Sequence, residues 1–302
     1  MSKIEAKIER AAWRDELKAL GDAEGFYEDL GAEHTALFVR RGGTLIVTFE
    51  NLDHVFEGDE NRMPWGYNFV EGQNWSMLGL MAHGWTWYRD EAVFDFFDRL
   101  RDDRFFTGFE KVVFYGASMG AYAAANFSAA SPGATVIMIS PQATLDRQIA
   151  SWETRYHKAW ARNYNSRYGY GPQNVQAAEK AHLFYDPRMP LDAMHAALFQ
   201  SENIVKYPCR YMGHRIASLW ILMKLLKPVV RACVDGDMSP LKFAQMMRVR
   251  RHTQRYQREM LTRLEEMGRP RLVAQYCRAV LATRGGPKFR KALRAAETKL
   301  RR

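Results

Sequence analysis

Short apolar runs recur along the first two thirds of the chain, separated by polar loops and by segments whose apolar residues fall at helical spacing. His34–Val39 and Thr44–Phe49 are β-prone runs joined by Arg40-Arg41-Gly42-Gly43, which predicts a strand, a turn and a strand. A long polar loop is expected from Glu50 to about Gln73, followed by a strand over Trp75–Ala82. Glu91–Leu100 places Val93, Phe94, Phe97 and Leu100 on one helical face. Further strands are expected at Lys111–Tyr115, Ala134–Ile139, Ala181–Tyr185 and Ile204–Tyr211. Between them lie an alanine-rich helix, Ala121–Ala130, stopped by Ser131-Pro132-Gly133, and a helix around Asp192–Phe199. Strands alternating with helices imply an α/β domain, its sheet mainly parallel with helices on both faces. A charged helix over Lys3–Leu20 precedes this pattern. Beyond Gly236 the β signal stops, and Leu241–Met267, Arg271–Thr283 and Pro287–Lys299 read as helices of a C-terminal extension. The expected division is therefore a helix in residues 1–20, an α/β domain in 21–235 and a helical extension in 236–302.

Composition changes this picture little, but the placement of charge changes it more. With 47 % hydrophobic and 26 % charged residues, the 302-residue chain can bury a sizeable core, which excludes wholesale disorder. The net charge of +10 is unevenly distributed: residues 248–302 hold 17 Lys and Arg against four Asp and Glu, so the rest of the chain is slightly acidic. Such an extension is expected to attract an anionic surface, either a membrane or a polyanion. Nothing in it resembles a sequence-reading nucleic-acid motif. Cys209, Cys233 and Cys277 are widely spaced and form no metal-binding or disulfide pattern, which fits a reducing compartment. The N-terminus lacks the apolar core of a secretory signal, and the longest apolar stretch, Ile216–Met223, is too short to cross a bilayer. A cytoplasmic location is the expectation. No Gly-rich phosphate cradle, nicotinamide or flavin signature, or HExxH-type metal motif is present, so neither cofactor nor metal is expected.

The sequence Gly116-Ala117-Ser118-Met119-Gly120 has the form GxSxG, with a predicted strand entering it and a helix leaving it. That is the setting of a nucleophile elbow, where small neighbours let the helix approach the strand and the turn lifts a serine above the sheet. With this motif the chain resembles the α/β-hydrolase superfamily over roughly residues 30–235. The resemblance implies a triad in the order serine, acid, histidine. Asp186, in Asp186-Pro187-Arg188-Met189-Pro190 after the penultimate strand, matches the acid, with Asp192 and Asp146 as alternatives. His214, after the last strand in Tyr211-Met212-Gly213-His214, matches the base. The resemblance further implies that the Met119 amide is one oxyanion donor, with the second from the turn after Thr44–Phe49. There Phe49-Glu50-Asn51-Leu52 replaces the usual His-Gly or Gly-Gly and makes Asn51 the candidate.

A helical lid over about residues 144–180 is also implied. Its Trp152 and Trp160, with Trp85 and Trp87 from the loop after Trp75–Ala82, are candidate substrate-binding residues, and Tyr156, Tyr164, Tyr168 and Tyr170 are interleaved among them. The activity implied is cleavage of a carboxylic ester or thioester, on a small or lipid-like acyl substrate, through an acyl-enzyme on Ser118. An acyltransferase using the same triad is the alternative within catalysis. A non-catalytic scaffold that binds an acidic partner through the basic extension is the alternative outside it.

Overall fold

The computed structural model describes residues 3–51 and 63–301, without the side chains of 3–11. Residues 52–62 of the polar loop expected from Glu50 to about Gln73 thus lie outside the described residues, and a short helix, Tyr67–Glu71, stands in the loop's second half. In chain order the elements are α1 (Lys3–Glu24), β1 (Gly25–Leu30), β2 (His34–Val39), β3 (Thr44–Asn51), α2 (Tyr67–Glu71), β4 (Ser76–Ala82), α3 (Glu91–Asp102), β5 (Lys111–Ala117), α4 (Met119–Phe127), β6 (Thr135–Ile139), α5 (Gly171–Asn174), β7 (Lys180–Tyr185), α6 (Pro190–Leu198), β8 (Ile204–Pro208), α7 (Ile216–Leu222), α8 (Leu226–Val234), α9 (Pro240–Met246), α10 (Gln254–Glu266), α11 (Pro270–Thr283) and α12 (Pro287–Arg301).

Eight strands form one sheet in the order β1-β2-β4-β3-β5-β6-β7-β8. β2 runs antiparallel to β1 and β4, and every pairing from β4 to β8 is parallel. The apolar runs are continuous rather than alternating because both faces of the sheet are covered. Leu45, Val47 and Phe49 of β3 pack under α3 and α4 with Phe94, Phe97 and Ala124, whereas Ile46 faces the opposite layer, with Leu17 of α1 and Trp220 of α7. α3 starts where it does because the Asp90 carboxylate accepts the Ala92 amide at 2.9 Å.

The sheet, its covering helices and the helical extension match the sequence expectation. β1 does not: no strand was expected at Gly25–Leu30. As an edge strand with one partner and mostly half-buried side chains, it carries little apolar signal. The helix expected over Leu241–Met267 is divided into α9, a 3₁₀ turn at Met247–His252, and α10. The break is at Thr253, extended at φ −86° and ψ 135°, whose hydroxyl donates to the Arg250 carbonyl.

Packing also departs from a boundary at residue 236. Met238, Phe243, Met247 and Tyr256 belong to the same buried cluster as Phe184, Tyr207 and Trp220. Only beyond them does a separate small core begin, with Leu261, Val273, Cys277, Val280 and Phe289.

The segment between β6 and β7 is not the helical lid expected over residues 144–180. Apart from the short α5 and single 3₁₀ turns at His157–Ala159 and Val175–Ala177, it is irregular. A buried guanidinium replaces the missing helical hydrogen bonds: Arg89 donates to the carbonyls of Asn163, Arg167 and Tyr168 at 2.6–3.1 Å and to the Ser166 hydroxyl. A coil can pack here because its carbonyls find a donor that needs several acceptors.

Of the three histidines buried among the described residues, His34, His182 and His195, the first two stand apart from any strong ion pair. His34 bonds Thr86 at 2.7 Å and His182 bonds the Tyr207 hydroxyl at 3.0 Å. Burial pushes both imidazoles from the ordinary 6.5 down to about 4. The unfolded chain therefore binds protons that the folded chain refuses, so their contribution to stability is fully present above pH 6.5 and declines as pH falls from 6.5 to 4. Thermal melting across that window should fall in the wild type and fall less steeply in His182→Phe. An identical slope in the variant would assign the loss to other groups.

Candidate active site

Ser118 stands between β5 and α4 with φ 52° and ψ −118°, a left-handed conformation that few non-glycine residues adopt. Its neighbours explain how the chain makes the turn. A Cβ on Gly116 would lie 2.1 Å from the Gly120 carbonyl oxygen, and one on Gly120 would lie 2.5 Å from the Phe49 carbonyl oxygen. Only glycine fits at either place, and the Ser118 amide is tied to the Ile139 carbonyl at 2.8 Å. The Met119 amide, first in α4, lies in the helical turn that has no acceptor within its own helix.

β8 ends at Pro208, which brings His214 back over the elbow. Its Nε2 lies 2.9 Å from Ser118 Oγ. The carboxylate at the other nitrogen is Asp192: both its oxygens are 3.0 Å from Nδ1. Asp186, the acid expected from the Asp-Pro turn, is occupied elsewhere. It accepts the Arg188 amide at 3.0 Å and the Gly213 amide at 2.7 Å, so it closes its own turn and pins the residue before His214. Asp146 accepts the Gln148 amide at 2.8 Å and likewise caps a turn. Asp192 reaches the imidazole because α6 begins at Pro190 and carries it in the first turn.

Three further side chains complete the surroundings: Tyr156, which the sequence offered only as one of several aromatics in its segment, and Gln142 and Arg155, which it did not single out. The Tyr156 hydroxyl is 3.0 Å from His214 Nε2, the nitrogen that also faces Ser118. Gln142 Nε2 is 3.5 Å from both Ser118 Oγ and the Tyr156 hydroxyl. Its orientation is set by Trp87, whose indole N–H donates to Gln142 Oε1 at 3.2 Å. An indole can only donate, so the amide oxygen must face it and the amide nitrogen must face the serine. Arg155 Nη1 donates to Asp192 Oδ1 at 2.6 Å, while its Nε and Nη2 donate to Glu153. The presence of an Arg and an acid two residues apart in an aromatic segment is the one hint of Arg155 that the sequence held.

The charges here are buried in pairs. Burial would raise the Asp192 carboxyl, yet its hydrogen bond from His214 and the charge of Arg155 hold it below the usual range. Burial acts the same way on Glu153, but bonds from His195 and Arg155 bring it down to about 2. The Tyr156 phenol is pushed up by burial, so it stays protonated and able to donate.

The four tryptophans expected to bind substrate have different surroundings. Trp87 is buried and reaches the serine only through Gln142, with its ring 4.8 Å from that of Tyr156. Trp152 packs on His195 at 4.5 Å and Trp160 lies under the Arg147 guanidinium at 3.8 Å. Trp85 is 45 % exposed, 6.0 Å from Trp87. Asn51 ends β3, three residues past the Thr48–Tyr115 pairing, as Ser118 is three past Tyr115. It therefore shares the serine's edge of the sheet, and residues 52–62 that follow lie outside the described residues. Among the described residues no three His, Cys, Asp or Glu side chains are grouped as a metal site, and no helix is long and apolar enough to cross a membrane.

No protein-family model matches the chain, and no curated protein matches it. Solved structures do. An esterase from Pyrobaculum calidifontis is 13 % identical, with 77 % of this chain and 94 % of that one covered and a TM-score of 0.46. The capsule O-acetyltransferase of Neisseria meningitidis serogroup A is 12 % identical, with 68 % and 94 % covered and a TM-score of 0.46. A glycosylation-associated protein complex from Streptococcus agalactiae is 12 % identical over 70 % of this chain, which spans 46 % of that one, with a TM-score of 0.45. The sheet order and the antiparallel β2 are those of the α/β-hydrolase fold.

Proposed function

We propose that the protein is a serine-dependent acyl-transfer enzyme that cleaves a carboxylic ester or thioester, with Ser118 as nucleophile, His214 as base and Asp192 as acid. The observation that carries this reading is the continuous line from Ser118 Oγ through both nitrogens of His214 to Asp192, at 2.9 and 3.0 Å. Asp192 only accepts, so Nδ1 holds the imidazole proton and Nε2 offers a lone pair to the serine. On attack, Ser118 Oγ bonds to the carbonyl carbon as its proton passes to Nε2, and the carbonyl electrons move onto oxygen. The Met119 amide is positioned to stabilise that oxyanion. Collapse expels the alcohol or thiol with the proton from Nε2 and leaves the acyl group on Ser118. Water then repeats the sequence in reverse roles and releases the acid. An acceptor alcohol in place of water makes the same site a transferase.

Tyr156 enters this scheme as a competitor. Nε2 of the neutral imidazole has one lone pair, and both the phenol and the serine hydroxyl lie within reach of it. While the phenol donates there, the serine is not activated.

We also propose that the basic extension binds an anionic lipid surface. Arg258, Arg269, Arg271, Lys288, Lys291 and Arg294 are all exposed on it, and each cation near such a surface contributes about 1 kcal/mol at low salt.

A fluorophosphonate probe with peptide mapping tests the first reading. Ser118→Ala should abolish labelling with the fold intact. Asp192→Asn should slow it by about 10⁴-fold, since the wrong tautomer results, whereas Asp186→Asn should retain most of it. Labelling that survives in Ser118→Ala, or an Asp186→Asn loss as large as that of Asp192→Asn, refutes the assignment. Tyr156→Phe should accelerate labelling about fivefold, the equivalent of one neutral hydrogen bond of ~1 kcal/mol; a slower variant would make the phenol a participant. For the extension, sedimentation with phosphatidylserine vesicles should weaken steeply with salt and disappear in a chain ending at Gln257, which keeps Tyr256 in the main core. Retained vesicle binding, or binding only to heparin, refutes it.

A further inference from the structure

Behind Asp192 runs a chain of buried charges. Glu153 is fully buried, and its Oε2 accepts from Arg155 Nη2 at 2.6 Å. Oε2 also lies 3.0 Å from His195 Nε2. His195 takes the Ala143 amide on Nδ1 at 3.1 Å, so its own proton must sit on Nε2 and point at Glu153. Glu153 thus fixes Arg155 from behind, and Arg155 presents Nη1 to Asp192 Oδ1 at 2.6 Å. That same Nη1 is 3.4 Å from His214 Nδ1. Because Nδ1 carries the proton donated to Asp192, this is a meeting of two N–H donors and not a hydrogen bond. The guanidinium attracts the carboxylate and repels a positively charged imidazole.

On the reading of Ser118, His214 and Asp192 given above, we propose that Arg155 is a positioning residue of the triad: it holds the Asp192 carboxylate against Nδ1 and, as a fixed positive charge beside that nitrogen, offsets the carboxylate's pull on a second imidazole proton. The other groups around the imidazole do not supply this effect. Tyr156 and Ser118 face Nε2 as neutral hydroxyls. Asp186 bonds the Gly213 amide, and the Arg255 guanidinium of α10 packs at Gly213, so both meet the backbone of the preceding residue rather than Nδ1. Glu153 partly balances Arg155 but binds its opposite edge. A charge a few ångströms from an ionising group moves its titration by about one to three pH units, so loss of Arg155 should be visible as a shift rather than only as a loss of rate.

The test compares wild type, Arg155→Met and Arg155→Lys by labelling rate against pH, and by ¹⁵N NMR titration of histidine in each protein. In Arg155→Met the acid limb of the labelling profile and the titration of His214 should both move upward by about one unit, a tenfold change in proton concentration. Arg155→Lys keeps the charge without the three-way geometry, so its midpoint should stay near that of the wild type while its labelling slows. Superimposable titrations of wild type and Arg155→Met overturn the proposal, as does an equal shift in Arg155→Lys. The NMR titration reads the imidazole without catalysis and can be repeated in Ser118→Ala. A wild type that fails to label but shows the shift therefore refutes the enzyme reading and leaves the electrostatic one standing. If Arg155→Met melts too low to titrate, Glu153→Gln, which releases the guanidinium from behind, gives the second comparison: an unchanged His214 midpoint together with an Arg155→Lys midpoint displaced from the wild type overturns the proposal.

Discussion

The approach of α4 to β5 and β3 sets the position of everything at the site. Backbone atoms of Gly116, Gly120 and Phe49 come together where no Cβ can stand, and the price is a serine held in a left-handed conformation costing about 1–3 kcal/mol. Such strain persists only where the surroundings over-determine it. Here the parallel pairing of β5 with β3 and β6 and the Ser118 amide bond to Ile139 do so. The serine is exposed to its histidine because the sheet leaves it no other course.

From that fixed point the remaining parts are arranged by the need to give every buried charge a partner. Asp186 spends its carboxylate on backbone amides, Asp192 on an imidazole and a guanidinium, and Glu153 on Arg155 and His195. A lone buried carboxylate would protonate rather than remain charged. The irregular stretch between β6 and β7 follows the same logic with the signs reversed, since the Arg89 guanidinium is buried only because coil carbonyls surround it. That stretch therefore serves as part of the site's electrostatics as well as a cover.

How much of this was legible in the sequence depended on whether the determining signal was local. β3, β5, β6 and β7 could be read because a strand buried on both faces is mostly apolar, and the elbow because its glycines and serine fall within five consecutive residues. β1 could not, since Gly25–Leu30 is an edge strand with Glu28 and Asp29 in it. Asp186 and Asp192 cannot be told apart in the sequence because both flank the start of the same helix; in the fold Asp186 meets the amides of Arg188 and Gly213, whereas Asp192 meets the imidazole. Tyr156, Gln142 and Arg155 reach the imidazole or the serine across 24 to 59 residues of sequence, a distance at which spacing carries no information. The irregular β6–β7 segment was read as helical from the fold resemblance, whereas its conformation is set by an arginine some 75 residues earlier.

The small core shared by α10, α11 and α12 has a further consequence. Leu261, Val273, Ala274, Cys277, Val280, Phe289, Ala292 and Ala296 bury one another and form a cluster distinct from the two beneath the sheet. α10 straddles the junction, with Tyr256 in one cluster and Leu261 in the other. Two buried clusters that share only α10 can open separately, so amide protons of α11 and α12 are expected to exchange with solvent through openings that leave the sheet closed.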